Sequence, residues 1–138
     1  MRVVLDASSL VYAILKTDSI PRHPVDHVTR HPDCLVISQA VEDEYFDVVM
    51  RPKFDRFVPM LRRLGILQDV IRKATRIEPG VQISECADPD DDKYLSLALA
   101  AAAKVIVSSD KRHLLPMHPW RGVSILSPAD YLRLHVAS

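Results

Sequence analysis

The chain has 138 residues, enough for about one compact domain, and 48% hydrophobic with 26% charged residues is the composition of a globular core, not of a disordered segment. Its 18 basic and 18 acidic side chains cancel to a formal charge of zero, so no whole-molecule field selects a polyanionic partner and any electrostatic signal is local. Only three apolar residues separate Met1-Arg2 from Asp6 and the longest apolar run, Tyr94 to Ala103, is too short to cross a bilayer, so a cytoplasmic protein without a leader is expected.

Val3-Val4-Leu5 is a short apolar run ending at Asp6, and Leu10, Val11, Ile14 and Leu15 follow at helical spacing, which predicts strand, turn and helix. The stretch from Thr17 to Asp33 leaves room for a short helix between Pro24 and Pro32. Cys34 to Ile37 reads as a second buried strand, with Ser38 as N-cap of a helix running to Met50 and ended by Arg51-Pro52. From Phe54 to Ile77 the apolar spacing predicts a helical insertion of two helices broken at Gly65 and closed by Pro79-Gly80. Asp88-Pro89-Asp90-Asp91 has the chemistry of a helix start, and the helix is expected to reach about Ala103. Val105 to Val107 and Val123 to Leu126 are further strands, and Ser127-Pro128 opens a last helix to about Val136. Strands alternating with helices predict one α/β domain over residues 1–138, a three-layer α/β/α sandwich about a central parallel sheet with its site at the carboxyl ends of the strands.

Four acids meet that topological demand. Asp6 follows the first strand, Asp110 follows Val105 to Val107, Asp91 opens the long helix, and Glu44 lies about two turns into the helix after the second strand. Carboxylates converging at one sheet edge, with no nearby Lys expected in the same motifs, repel one another unless a cation stands between them. Oxygen-only ligation points to Mg²⁺ or Mn²⁺ and not to zinc. Each acid also has a simpler reading: Asp88 as an N-cap, Asp91 as the closing member of a capping box, and Glu42, Asp43 and Asp47 as a solvated helix face. Asp6 resists such a reading, because a carboxylate directly after a buried strand is costly without a partner.

With these residues in place, Asp6-Ala7-Ser8, Ser38 through Glu44, Arg51-Pro52-Lys53-Phe54, Asp88 through Leu95 and Val107-Ser108-Ser109-Asp110 together resemble the PIN domain, and within it the bacterial VapC-type toxins. The resemblance runs through nearly the whole chain. It implies a metal-dependent single-strand RNA endonuclease, the toxin of a toxin-antitoxin pair held inactive by a cognate antitoxin. The family's acids fall on Asp6, Glu44, Asp91 and Asp110, both as catalytic residues and as ligands for Mg²⁺ or Mn²⁺, with Ser108 at the position of a supporting hydroxyl. One departure is Ser8, where many members have Asn.

Between Arg51 and Arg76 eight basic residues face two acids, a local excess hidden by overall neutrality. Such a surface suits a phosphate backbone, with Arg51, Lys53, Arg62 and Arg63 as the RNA-binding candidates, and equally suits the solvated faces of amphipathic helices. His23, His27 and His31 recur every four residues without an accompanying acid pair and are left without a role. His113, close to Asp110, could assist proton transfer but is read rather as a surface or core histidine, and Trp120 as a cover over the sheet. Apolar helix faces on so small a domain also suit a homodimer. Two rivals remain: a phosphatase of the haloacid-dehalogenase type, which needs an acid where this chain has Ser8, and a PIN scaffold that binds RNA or protein without catalysis, which would have lost an acid.

Overall fold

The computed structural model describes residues 1–16, 20 and 22–136; Thr17, Asp18, Ser19 and Pro21, at the head of the Pro- and His-bearing stretch, lie outside the described residues. β1 (Val3–Leu5) is wholly buried, as a run of three apolar residues in a sheet covered on both faces must be. Asp6 ends it and caps α1 (Ala7–Leu15), its carboxylate accepting the Ser9 amide at 2.8 Å. α2 (Arg22–Arg30) starts two residues before Pro24, and β2 is only Val36–Ile37. Ser38 caps α3 (Gln39–Val49) through the Val41 amide at 3.2 Å. A single 3-10 turn, Pro52–Phe54, leads into α4 (Met60–Lys73).

The expected break at Gly65 does not occur. α4 runs through it because the buried stripe of Arg63, Leu67 and Val70 continues in helical register, and Gly65 itself is exposed; the cost of about 1 kcal/mol for a helical glycine is outweighed by that packing. A further strand, β3 (Thr75–Arg76), closes the insertion where helix was expected. Pro89–Asp91 form a 3-10 turn before α5 (Asp92–Ala100), so the expected long helix is shorter at both ends. β4 (Val105–Val107), β5 (Ser124–Leu126) and α6 (Pro128–Tyr131) follow, the last continued by a π-type turn over Leu132–Val136. Trp120 and Val123 exchange backbone hydrogen bonds of 2.9 and 2.7 Å across Arg121-Gly122, both at positive φ, a tight turn that feeds β5 and buries the indole.

β1, β4 and β5 form one parallel sheet in that order, and β2 pairs in parallel with β3. A parallel bridge between Val3 and Leu35 joins the two, giving the order β3-β2-β1-β4-β5. From β1 the chain steps outward to β2 and β3, then returns across the sheet to β4. With crossovers of the usual hand, the outward helices and the returning α5 cover opposite faces, completing three α/β/α layers. The order reverses between β1 and β4, and open α/β sheets bind their ligands at such a switch point.

One of the expected RNA-binding residues belongs to the interior. Arg63 is 0% exposed. Its guanidinium donates to the carbonyls of Val49 at 2.8 Å, Arg51 at 3.3 Å and Val58, and pairs with Asp55 at 2.7 Å. The fork joins the end of α3, the 3-10 turn and the start of α4, and no donor face is left for a phosphate.

Candidate active site

At the switch point a cavity of about 260 Å³ is lined by Asp6, Ala7, Ser8, Glu44, Val48, Asp88, Asp91, Tyr94 and Asp110. All four acids expected from strand and helix positions reach it, and Asp88 joins them. Asp6 comes from the end of β1, Glu44 from the middle of α3, Asp88 and Asp91 from the turn before α5, and Asp110 from the loop after β4.

Asp6 is the fixed point of the group. It is 3% exposed, and burial pushes its carboxyl above the ordinary value. Hydrogen bonds oppose that shift, among them those from the Ser108 hydroxyl at 2.5 Å, the Ser9 amide at 2.8 Å and the Ser109 amide at 3.3 Å. Ser108 also accepts the Asp110 amide at 2.9 Å, so one buried hydroxyl sets the spacing of two acids. Two buried tyrosines brace the same strand end. Tyr45 donates to the Leu5 carbonyl at 2.7 Å, and the Tyr94 hydroxyl accepts the Ala7 amide at 3.0 Å. Burial and then the Asp6 charge push both phenols upward, so they stay neutral.

Asp91 makes no capping bond, contrary to the capping-box reading, and its side chain instead shares a hydrogen bond with Asp110. Burial first, then Asp110, Asp88 and Asp6, push its pKa up to about 7. Burial also acts on Asp110, but hydrogen bonds from Asp91 and from the Arg112 and His113 amides hold it below the usual carboxylate range. Asp88 is the N-cap expected of it, accepting the Asp90 amide at 3.0 Å, and still lines the cavity.

Two basic groups that the sequence reading did not place in the set sit among these acids. Lys93, the second residue of α5, pairs with Glu44 at 3.1 Å, so the motif does carry a lysine beside the acids, against the expectation. The His113 ring lies 3.2 Å from Asp110, 3.9 Å from Asp88 and 4.0 Å from Asp91. Ligand atoms of Asp88, Asp91 and His113 fall within 4.8 Å of one another. The sequence signal for His113 was its place three residues after Asp110; Lys93 carried none, since its partner is 49 positions away.

The donor set fits a hard divalent cation. Asp6, Asp91 and Asp110 offer only oxygens, and Asp91, whose pKa is raised to about 7 first by burial and then by the neighbouring carboxylates, marks a repulsion that such an ion relieves.

Residues 2–112 match the family model described as PIN domain. The chain belongs to the PIN domain family. An uncharacterized protein of Methanocaldococcus jannaschii is 24% identical over 112 residues, covering 80% of this chain and 72% of that protein. Among solved structures, DNA-bound VapBC from Salmonella typhimurium superposes with a TM-score of 0.61 at 15% identity, over 93% of this chain and 98% of that one. That likeness confirms the fold of this PIN domain, a parallel sheet with flanking helices.

No helix among the described residues is long and apolar enough to cross a membrane.

Proposed function

We propose that this PIN domain is a metal-dependent endonuclease that hydrolyses single-stranded RNA, and that it is a VapC-type toxin restrained by a protein antitoxin in the cytoplasm. The observation that carries the reading is the convergence of Asp6, Glu44, Asp91 and Asp110 in one cavity at the strand-order reversal. Asp6, Asp91 and Asp110 would hold Mg²⁺ or Mn²⁺, with Glu44 as an outer ligand or base and Ser108 as the support of Asp6. When bound, such an ion offsets phosphate charge and lowers the pKa of a coordinated water.

The chain's own groups then have separate tasks. Ser108, Ser9 and Ser109 hold Asp6 against the rotation that a buried anion would otherwise favour. Lys93 neutralises Glu44 and brings a positive charge to the cavity wall, where an incoming phosphate meets it. His113, on the Asp110 carboxylate, is placed to pass a proton to or from that oxygen. Arg51, Lys53 and Arg62, all exposed, supply sequence-independent attraction for the RNA backbone; Arg51 lies just beyond the end of α3, the helix that carries Glu44. Exposed Tyr12 and Phe57, which line one apolar cavity with Leu15 and Phe54, offer the antitoxin a docking face.

Incubation with mixed single-stranded RNAs, with Mn²⁺ or with EDTA, tests the reading. Cleavage that needs the metal, leaves 5′-phosphate and 3′-hydroxyl ends and vanishes in Asp6→Asn is expected. Cyclic phosphate ends, or cutting undiminished by EDTA, would rule out the mechanism. Tight RNA binding without any cleavage would return the chain to the non-catalytic scaffold.

A further inference from the structure

The turn after β4 carries more than an acid. Asp110 accepts the Arg112 and His113 amides on one carboxylate oxygen at 3.0 and 3.2 Å, the Leu115 amide returns to its carbonyl at 3.0 Å, and Leu114 is buried. That fixed frame sorts four consecutive side chains. Asp110 lines the acidic cavity and the His113 ring lies against three aspartates, whereas Lys111 and Arg112 are exposed. Among the described residues, neither of these two cations makes a side-chain hydrogen bond or an ion pair. Other basic groups are engaged: Arg51 pairs with Asp47 at 3.0 Å, and Lys53 and Arg56 lie over the rings of Phe54 and Phe57.

Position gives the unpaired cations their meaning. Lys111 follows Asp110 across one peptide of about 3.8 Å and Arg112 across two, so both charges lie on the order of a Debye length, about 10 Å, from that acid. A cavity of carboxylates attracts a metal ion and repels a phosphate, so a polyanionic strand can enter only where positive charge meets its neighbouring phosphates at the rim. Lys93, on Glu44, brings one such charge from the α3 side of the switch point. Lys111 and Arg112 bring two more from the β4 side, where the chain otherwise offers the strand only acids.

We propose that Lys111 and Arg112 grip the phosphates next to the scissile one, so that the strand lies across the switch point between the Glu44–Lys93 pair and the turn after β4. The inference rests on the reading of single-stranded RNA as the substrate and adds to it a path for the strand. The grip is on backbone charge and carries no base preference. Because the turn is pinned by its own amides and by Leu114, the two cations ride on the same rigid segment as Asp110, and binding the strand there registers it against the acids.

The probe is a fluorescently labelled single-stranded oligouridine, its affinity read by anisotropy over a range of salt in millimolar Mg²⁺. Asp6→Asn is the parent protein, so that the RNA stays whole. Adding Lys111→Ala and Arg112→Ala is expected to make the slope of log affinity against log salt shallower by about 1.4, two contacts at about 0.7 each on a single strand, and to weaken binding roughly tenfold near 0.1 M salt. Backbone amides and not these side chains hold Asp110, so the turn survives the change, checked by the melting temperature. Exchanging the two cations, Lys111→Arg with Arg112→Lys, is expected to keep the parent's slope, because counterion release counts charges. An unchanged slope in the alanine variant, a slope lost in the exchanged one, or a parent that binds no oligouridine would overturn the inference and leave the turn to solvent or to a protein partner. Metal-dependent cleavage by the wild type is scored separately: its absence beside a reduced slope removes the nuclease reading and leaves this grip standing.

Discussion

Asp91 shows how one side chain couples the acidic pocket to stability. In the folded protein it keeps its proton to about pH 7, while in the unfolded chain it releases it near 3.8. Folding therefore takes up a proton between these values, and stability falls as pH rises through that window. Asp6, raised by burial, adds in the same direction, whereas Asp110, held below its usual range, acts only under about pH 4. His27, lowered chiefly by burial, acts with opposite sign just below its ordinary 6.5, so the difference between wild type and an Asp91 variant is the informative readout. In EDTA, Asp91→Asn is expected to be more stable than wild type by roughly 1–3 kcal/mol at pH 8, after allowance for solvent screening, and equal to it near pH 4. Denaturant unfolding at the two pH values checks this. An amide donates to Asp110 as the protonated acid does, without the charge. Arg63 is the opposite case, a residue that local sequence assigns to the surface and packing assigns to the core. Arg63→Ala is expected to cost about 3 kcal/mol, since three carbonyls lose a donor, and Arg63→Lys to recover little because an ammonium cannot span them.

At the scale of elements, most of the layout was legible because caps and breakers are local. Ser38, Asp88 and Ser127 each accept an amide two or three residues on, as their positions before apolar runs implied. The end of α5 shows what such signals omit. Ala102 closes it with φ 50°, a left-handed position normally taken by glycine, and the Ala103 amide returns to the Ala98 carbonyl at 2.9 Å. Ala102→Gly is expected to raise stability by about 0.5–1 kcal/mol, the relief of the Cβ strain less the extra freedom of glycine in the unfolded chain. A melting curve in EDTA is sufficient, since Ala102 is exposed and does not line the acidic cavity. Gly65 and β3 were misread for a common reason. A glycine in a helix and two residues in a strand are decided by what packs beside them, here the stripe through Leu67 and the pairing of Thr75 with Val36.

For the whole molecule, strand order matters more than any single element. Reversal between β1 and β4 brings residues 6 and 110 to one edge, and α3 and α5 add carboxylates from residues 44 and 91. In wild type, millimolar Mn²⁺ is expected to raise the melting temperature by binding the folded state alone, by about 2.7 kcal/mol at a hundredfold excess over its Kd, with much of the rise lost in Asp91→Asn. The proposed RNA binding is expected to be separable from that ion. Arg62→Ala is expected to reduce the slope of log affinity against log salt by about 1 while leaving the Mn²⁺ effect on melting intact, as for any residue that touches phosphate without forming the acidic pocket. An unchanged slope would assign that face to solvent or to the protein partner.

The sequence by itself determined the alternation of strands and helices, the class of fold and the acids placed at the site, three near strand ends or a helix start and Glu44 within α3, because apolar period and capping chemistry act over a few residues. It did not determine which charges meet. Lys93 on Glu44, His113 on three aspartates, and Arg63 on the carbonyls of α3 and its following turn are contacts set by how the layers close, and some span dozens of positions. Burial and mutual repulsion, which push Asp91 up and let Asp110 stay ionised, exist only once those groups share a cavity of a few ångströms.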